Sequence, residues 1–217
     1  IFSWIEATLL DAMPGIRDRG SVAALYGTTS SRDDLSLSYP NYRDLRDAAV
    51  PGIDDIAVFS VGALGWRTEQ GAERVWGEIV SGNFFDLLGV TAARGRVLTP
   101  ADDTTPGAHP VVVVSHRFWQ RRLSGRDDVI GQTLVLNTQP FVVVGVTPPD
   151  FHGSQPLIAL DVFLPIAMQS SFIPGDRLAQ RGSGWLNALV RLGPEATRDT
   201  VQPGLDVVAA RLATAHP

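Results

Sequence analysis

The chain has 217 residues, 44% of them hydrophobic and 19% charged, with a net charge of −5 at pH 7. This is the composition of a globular chain, and its acidic balance lacks the concentrated positive charge that nucleic-acid binding needs. There is no cysteine, and all 18 basic residues are arginine, which removes thiolate, disulfide and iron–sulfur chemistry together with every lysine nucleophile or phosphate-binding lysine.

The sequence opens on Ile1 and not Met, as a processed chain or a piece of a longer one would. Ile1–Leu10 (IFSWIEATLL) is apolar apart from Ser3, Glu6 and Thr8, and runs toward the breakers Pro14 and Gly15. A bilayer span takes about 20 apolar residues, more than this stretch offers. Two readings fit it: an amphipathic helix, or the outer end of a membrane helix that starts earlier. Val22–Tyr26 reads as a strand. Ser38 before Tyr39-Pro40 is a helix start, because a first-turn proline forfeits no hydrogen bond, and Tyr39, Tyr42 and Leu45 share one face. Ile53–Val61 and Ala63–Thr68 read as strands around Gly62, and Arg74–Val80 as another. Ser81-Gly82-Asn83 caps a short helix over Phe84–Leu88, stopped by Gly89.

A polar loop follows over Thr99–Pro110. Val111–Val114 is a β-branched run suited to a strand buried on both faces. Ser115 N-caps a helix in which Trp119 and Leu123 stack, ending at Gly125. Thr133–Leu136 and Phe141–Val146 flank Asn137–Pro140, the pattern of a hairpin with a four-residue loop. Asp161–Pro165 reads as an edge strand with proline confined to its end. Ser170–Gly184 is loop-rich, and Leu186–Leu192 alternates as a strand. Val201, Leu205, Val208 and Leu212 form the stripe of a terminal amphipathic helix. Pro203 places its start near Thr200, since an interior proline costs about 3 kcal/mol.

Chemistry-bearing residues are few. Ser115-His116 has no nucleophile elbow around it, and adjacent residues at a helix start point apart. Ser115 as an N-cap is the better account, which leaves an esterase reading weak. His109, His116, His152 and His216 show no metal-ligand spacing. Asp102-Asp103 and Asp127-Asp128 lie outside any calcium-loop frame and suit capping or solvation. Arg117, Arg121, Arg122 and Arg126 form the densest positive cluster, either a solvated helix face or a contact for phosphate headgroups or an acidic partner. The tryptophans Trp4, Trp66, Trp76, Trp119 and Trp185 are candidates for core packing or for a ligand cleft. No catalytic, cofactor-binding or metal residue is assigned, and the ligand-binding residues stay open.

Four stretches in order carry a resemblance: SYPNYRDLRD (Ser38–Asp47), ERVWGEIVSGNFFDLLGVTAARGRVLTPADD (Glu73–Asp103), HPVVVVSHRFWQRRLSG (His109–Gly125) and VIGQTLVLNTQPFVVVGVTPPDFHG (Val129–Gly153). Together they resemble the periplasmic core domain of MacB-type ABC transporter permeases, the group with FtsX- and LolE-like members. The likeness is greatest to the large duplicated acidobacterial permeases. RGSGWLNALVRL (Arg181–Leu192) and the terminal helix fit the same group. Each motif is degenerate by itself, and the ordered set is specific.

The resemblance implies an α+β fold in parts. Residues 1–20 would be the exit of a membrane-proximal helix and its linker, and residues 21–98 the first part of a porter-like subdomain. Residues 99–180 would be an inserted β-rich subdomain, and residues 181–217 the closing strand and helix. It further implies an extracytoplasmic, non-catalytic part of an inner-membrane efflux or lipoprotein-release permease. Such a domain uses no cofactor, binds no nucleic acid, and is monomeric when isolated. Its partners would be a cytoplasmic ABC ATPase, its own membrane helices, and a periplasmic adaptor or cargo protein. The Gly/Pro-rich joins Thr99–Pro110 and Ser170–Gly184 are where flexing between subdomains is expected. The competing reading is a free-standing secreted carbohydrate- or peptide-binding module that uses its tryptophans.

Overall fold

The computed structural model describes residues 2–5, 15–29, 32–155 and 158–216. One 11-stranded mixed sheet organises them in the order β1-β2-β11-β4-β5-β10-β7-β9-β6, with β3 against β2 and β8 against both β4 and β9. The strands are β1 (Phe2–Ile5), β2 (Val22–Thr29), β3 (Arg32–Leu35), β4 (Ile53–Thr68), β5 (Gly71–Val80), β6 (Arg94–Gly95), β7 (Val111–Val114), β8 (Thr133–Leu136), β9 (Gln139–Val146), β10 (Val162–Pro165) and β11 (Asn187–Leu192). The helices are α1 (Tyr39–Asp47), α2 (Phe84–Leu88), α3 (His116–Arg122), α4 (Gln169–Phe172) and α5 (Arg198–Ala215). Helices and a mixed sheet make the α+β fold that the sequence implied.

The pairings close a circuit. From β4 they pass to β5, then β10, β7, β9 and β8, and β8 returns to β4 through Trp66↔Leu136 and Arg67↔Val135. This half is a small closed barrel in which each strand of the circuit has a partner on both sides, the β4–β8 seam spanning two residue pairs. The other half is open: β1, β2 and β11 continue antiparallel from the near end of β4. β4 belongs to both. Its near end pairs β11 from Asn187↔Phe59 to Leu192↔Ile53, while its far end pairs β8. At about 3.3 Å per residue, its 16 residues reach through the whole molecule.

In the two long strands Gly62 and Gly77 face each other in register. The ring of Phe172 covers this pair, and a Cβ on Gly77 would stand 2.6 Å from Leu64 Cδ1 and 3.2 Å from Phe172 Cε2. Glycine is required here for close approach.

Alternation along the strands builds two cores. Ile56 and Val58 of β4 and Ala188 and Val190 of β11 face α1 and α5, meeting Tyr42, Leu45, Val201 and Leu205, and that core runs on into the barrel through Leu64, Phe118, Leu136 and Phe141. Ala57, Phe59 and Leu189 face the other way, onto α2 and an aromatic cluster. There Phe85 lies 5.5 Å from Phe84, 5.5 Å from Phe163 and 5.8 Å from Phe151, centroid to centroid.

Several local expectations hold. Ser38 and Ser115 cap α1 and α3 through their side chains, accepting from Asn41 N at 3.3 Å and Phe118 N at 3.1 Å. Gly89 ends α2 at φ 67°.

Others are corrected. Phe2–Ile5 is a strand paired to β2, not part of a helix, because β2 offers an otherwise open edge there. The rest of the stretch Ile1–Leu10 lies outside the described residues. The sequence around Gly62 makes one strand, not two. The hairpin loop between β8 and β9 is the two-residue Asn137-Thr138, both at positive φ (48° and 73°), with Leu136 opposite Gln139. Asn137 adopts that conformation readily, and its Oδ1 also accepts from Gly65 N at 2.8 Å. β10 is interior, between β5 and β7, and its Pro165 stands beyond the last β7 pair, where no donor is needed on that side.

α5 begins at Arg198, two residues earlier than proline suggested, with Pro203 inside it. A Thr197–Thr200 capping box sets its start, with Thr200 N donating to Thr197 Oγ1 at 3.3 Å. Pro203 and the Asp199 backbone it leaves unpaired are both exposed to water, which lowers the cost.

Candidate functional site

Among the described residues, polar side chains gather at the joint between open sheet and barrel and at the far tip of the barrel. The joint is built on the turns that follow β5 and precede β7. Asp103 ends a 3-10 turn, Pro100–Asp103. Its Oδ2 accepts from Gly82 N at 3.0 Å and its Oδ1 from Ala167 N at 2.7 Å, so one carboxylate ties the ends of β5 and β10 together. Burial pushes its pKa up to about 6, against those two hydrogen bonds. Asp102 supports the turn, accepting from Thr99 N at 2.9 Å and from both Arg96 guanidinium nitrogens at 2.6 and 2.8 Å. Burial opposes its charge, yet Arg96 and Thr99 hold its carboxyl below the usual range.

Asn83 donates to Asp55 Oδ2 at 2.7 Å and to Ile56 O at 2.8 Å, pinning α2 to β4. Glu78, near the end of β5, is fully buried. Among the described residues Ser154 alone hydrogen-bonds to it, donating from its backbone N to Oε2 at 3.3 Å and from its hydroxyl to Oε1. Desolvation pushes the Glu78 pKa up to about 7.

Both joins where flexing is expected carry hydrogen bonds to side chains or to neighbouring elements. Thr99–Pro110 is held by the Asp102 and Asp103 contacts and by Gly107 N donating to Ala167 O at 2.9 Å. In Ser170–Gly184, the Gln169 amide donates to Ile173 O at 2.6 Å and Gly175 O at 2.9 Å, and accepts from Arg177 N at 2.8 Å. Arg181 reaches Asp44 at 2.6 Å and Asn41 at 2.7 Å on α1. Arg181 thus links the second join to a helix 140 positions away in sequence.

The barrel tip holds a groove of about 720 Å³, lined by the end of β4 and its turn, by β8, and by the end of α3. It opens because the β4–β8 ladder stops at Arg67↔Val135. The Trp66 ring packs edge-on against Phe118 at 5.1 Å and lies under the Arg122 guanidinium at 5.2 Å. Arg122 also pairs with Glu73. Arg126 forks onto Asp128, with nitrogen–oxygen distances of 2.9 and 2.7 Å. Arg67 and Arg121, both exposed, have no recorded ion pair among the described residues.

The remaining candidates are scattered. Arg117 turns away from the groove to Asp161 at 2.7 Å, and Asp127 pairs with Arg94 at 2.8 Å. His116 meets the Trp119 ring edge-on at 5.3 Å, and His109 meets Thr104 Oγ1 at 3.3 Å. His152 and His216 are exposed. No group of three or more metal-ligating side chains occurs among the described residues. Trp119 and Trp185 pack on the core, and Trp76 is exposed on the outside of the barrel. Glu78, the buried side of Asp103, and the groove's Arg67, Glu69 and Glu73 were not singled out from sequence. A glutamate set between Gly77 and the apolar pair Ile79-Val80 in the strand ERVWGEIV is the available signal for Glu78.

An α+β fold with a continuous β4–β5 ribbon and no helix long and apolar enough to cross a membrane among the described residues matches known proteins. The model of the MacB-like periplasmic core domain matches residues 1–206, and the chain belongs to that family, the periplasmic part of ABC transporter permeases. The macrolide export ATP-binding/permease protein MacB of Aggregatibacter actinomycetemcomitans is 27% identical over 92 residues, covering 42% of this chain and 14% of that protein. The chain therefore matches only a small part of that relative's length. The periplasmic region of MacB from Actinobacillus actinomycetemcomitans superposes with a TM-score of 0.65 at 17% identity, over 91% of this chain and 86% of that one. The extracellular domain of the noncanonic ABC-type transporter YknZ from Gram-positive bacteria gives 0.58 at 16% identity, over 83% and 84% of the two chains. At these identities the superpositions speak for the fold.

Proposed function

We propose that this domain carries ATP-driven motion outward, from a cytoplasmic ABC ATPase and the permease's membrane helices to a cargo or periplasmic partner protein, as one stiff body without chemistry of its own. Efflux and lipoprotein release are both compatible with that role. The observation that carries it is the path of β4 and β5: two paired strands run from the open sheet into the barrel, so the halves share backbone hydrogen bonds and not merely a contact. The Asp103, Asn83 and Arg181 hydrogen bonds brace the same joint. β1 and α5, the first and last described elements, pack against each other in the open-sheet half. Force entering beside them would reach the barrel through the ribbon.

The test uses spin labels in the full permease with its ATPase. Because this domain has no native cysteine, Gln70→Cys at the barrel tip and Val207→Cys on the exposed face of α5 label it cleanly. The expected result is an intradomain distance that stays constant between nucleotide-free and ATP-bound states, while the distance between copies changes. An intradomain distance that moves with nucleotide as much as the intercopy one overturns the stiff-body reading.

A further inference from the structure

We infer that the groove at the barrel tip is a docking site for an extended, acidic polypeptide segment of a partner protein. The inference does not rest on the stiff-body reading above and stands on three features of the groove. First, the seam is splayed. Asn137 N donates to Gly65 O at 2.8 Å, so by the two-residue period of a strand the backbones of Val135 and Thr133 turn the same way. The ladder ends at Val135, and Thr133 faces the groove with no β4 residue opposite. A second extended chain fits beside a strand left open in this manner.

Second, the floor is apolar. The Trp66 ring, Leu123 and Leu134 line it, giving alternate side chains of an extended segment something to cover. Third, the charge is complementary to an acid. Arg67 and Arg121 stand at the groove without a carboxylate partner among the described residues, and the Arg122 guanidinium lies over Trp66. Glu69 is the acidic residue lining the groove that has no recorded arginine. In a chain of net charge −5, a groove with this balance attracts carboxylates that the rest of the surface repels.

The probe is a fluorescein-labelled Ac-(Glu-Val)4 peptide titrated with the chain and followed by anisotropy, with Ac-(Lys-Val)4 as the charge control. The acidic peptide is expected to bind, with affinity falling as salt is raised, and the basic one not to. The double variant Arg67→Glu/Arg121→Glu is expected to weaken binding by about tenfold or more. Neither side chain makes a recorded hydrogen bond, so its thermal melt should match the parent's. Glu69→Gln acts in the opposite direction and should tighten binding, which keeps the test decisive if the double variant folds poorly. Unchanged affinity in these variants, equal binding of the basic peptide, or arginine-dependent binding to phosphatidylglycerol vesicles without peptide binding overturns the inference. The last result would assign the groove to a lipid headgroup.

Discussion

The joint and the barrel tip use charge in opposite ways. At the joint, carboxylates are taken out of water and spent as hydrogen-bond acceptors: Asp103 holds two backbone N–H groups and Glu78 holds Ser154. At the tip, arginines stay in water, paired with acids that are themselves exposed. Buried groups left without partners cost several kcal/mol, so the joint's polar pairs decide which geometry the halves keep. Exposed pairs contribute about 0–1 kcal/mol each and decide instead which surfaces attract. One region is built for shape and the other for recognition.

That contrast can be broken most forcefully through the aromatic cluster behind the joint. Phe85 is fully buried among Phe84, Phe151 and Phe163. Phe85→Ala should cost about 3–5 kcal/mol of folding stability, measured by urea unfolding. A loss below 1 kcal/mol, on the order expected for surface sites, would show that the cluster does not hold the halves together.

The next effect is a pH dependence. The Glu78 pKa is raised to about 7 in the folded protein from an ordinary value of 4.5. The folded state therefore keeps a proton that the unfolded state has released. The stability associated with the neutral carboxyl is fully present below pH 4.5 and is lost as pH rises through 7. The loss is on the order of 3 kcal/mol. Asp103, raised to about 6 from 3.8, adds a decline of the same sign at lower pH. Glu78→Gln should flatten the upper part of the profile and make the protein more stable than the parent at pH 8. A parent melting temperature that rises from pH 5 to pH 8 would contradict this.

Smaller again is Asp103→Asn. The amide offers one oxygen where two N–H donors converge, and its NH2 faces a donor, so about 1–3 kcal/mol should be lost at neutral pH. Hydrogen exchange at the Gly82 and Ala167 amides should quicken selectively; unchanged protection there would mean the carboxylate is not the tie. The smallest effect belongs to the tip. Arg67→Glu/Arg121→Glu should leave stability within about 0.5 kcal/mol while altering peptide binding, and a large drop in melting temperature would place these arginines in the fold.

What was legible beforehand follows the same division. Arg121, Arg122, Arg126 and Trp66 were visible as a cluster and a candidate, because composition and helix periodicity expose surface charge. Arg67, Glu69 and Glu73 became part of the site only when β8 came to lie beside β4, a pairing between residues about seventy positions apart. The Asp102-Asp103 pair suits capping or solvation by its sequence, and Asp102 does cap. Asp103 reaches Gly82 and Ala167, contacts that no local pattern encodes.

By itself the sequence determined the caps at Ser38 and Ser115, the stop at Gly89, most strand positions, and the membership that the ordered motifs signalled. These depend on steric and hydrogen-bonding preferences acting within a few residues, or on patterns spread along the chain. The tertiary structure alone decided that Phe2–Ile5 is a strand, that Pro203 sits inside α5, that β10 is interior, and that the β-rich half closes into a barrel. Each depends on a partner strand or on solvent reaching a distant backbone group. Free energy of that kind is set by neighbours in space, not by neighbours in sequence.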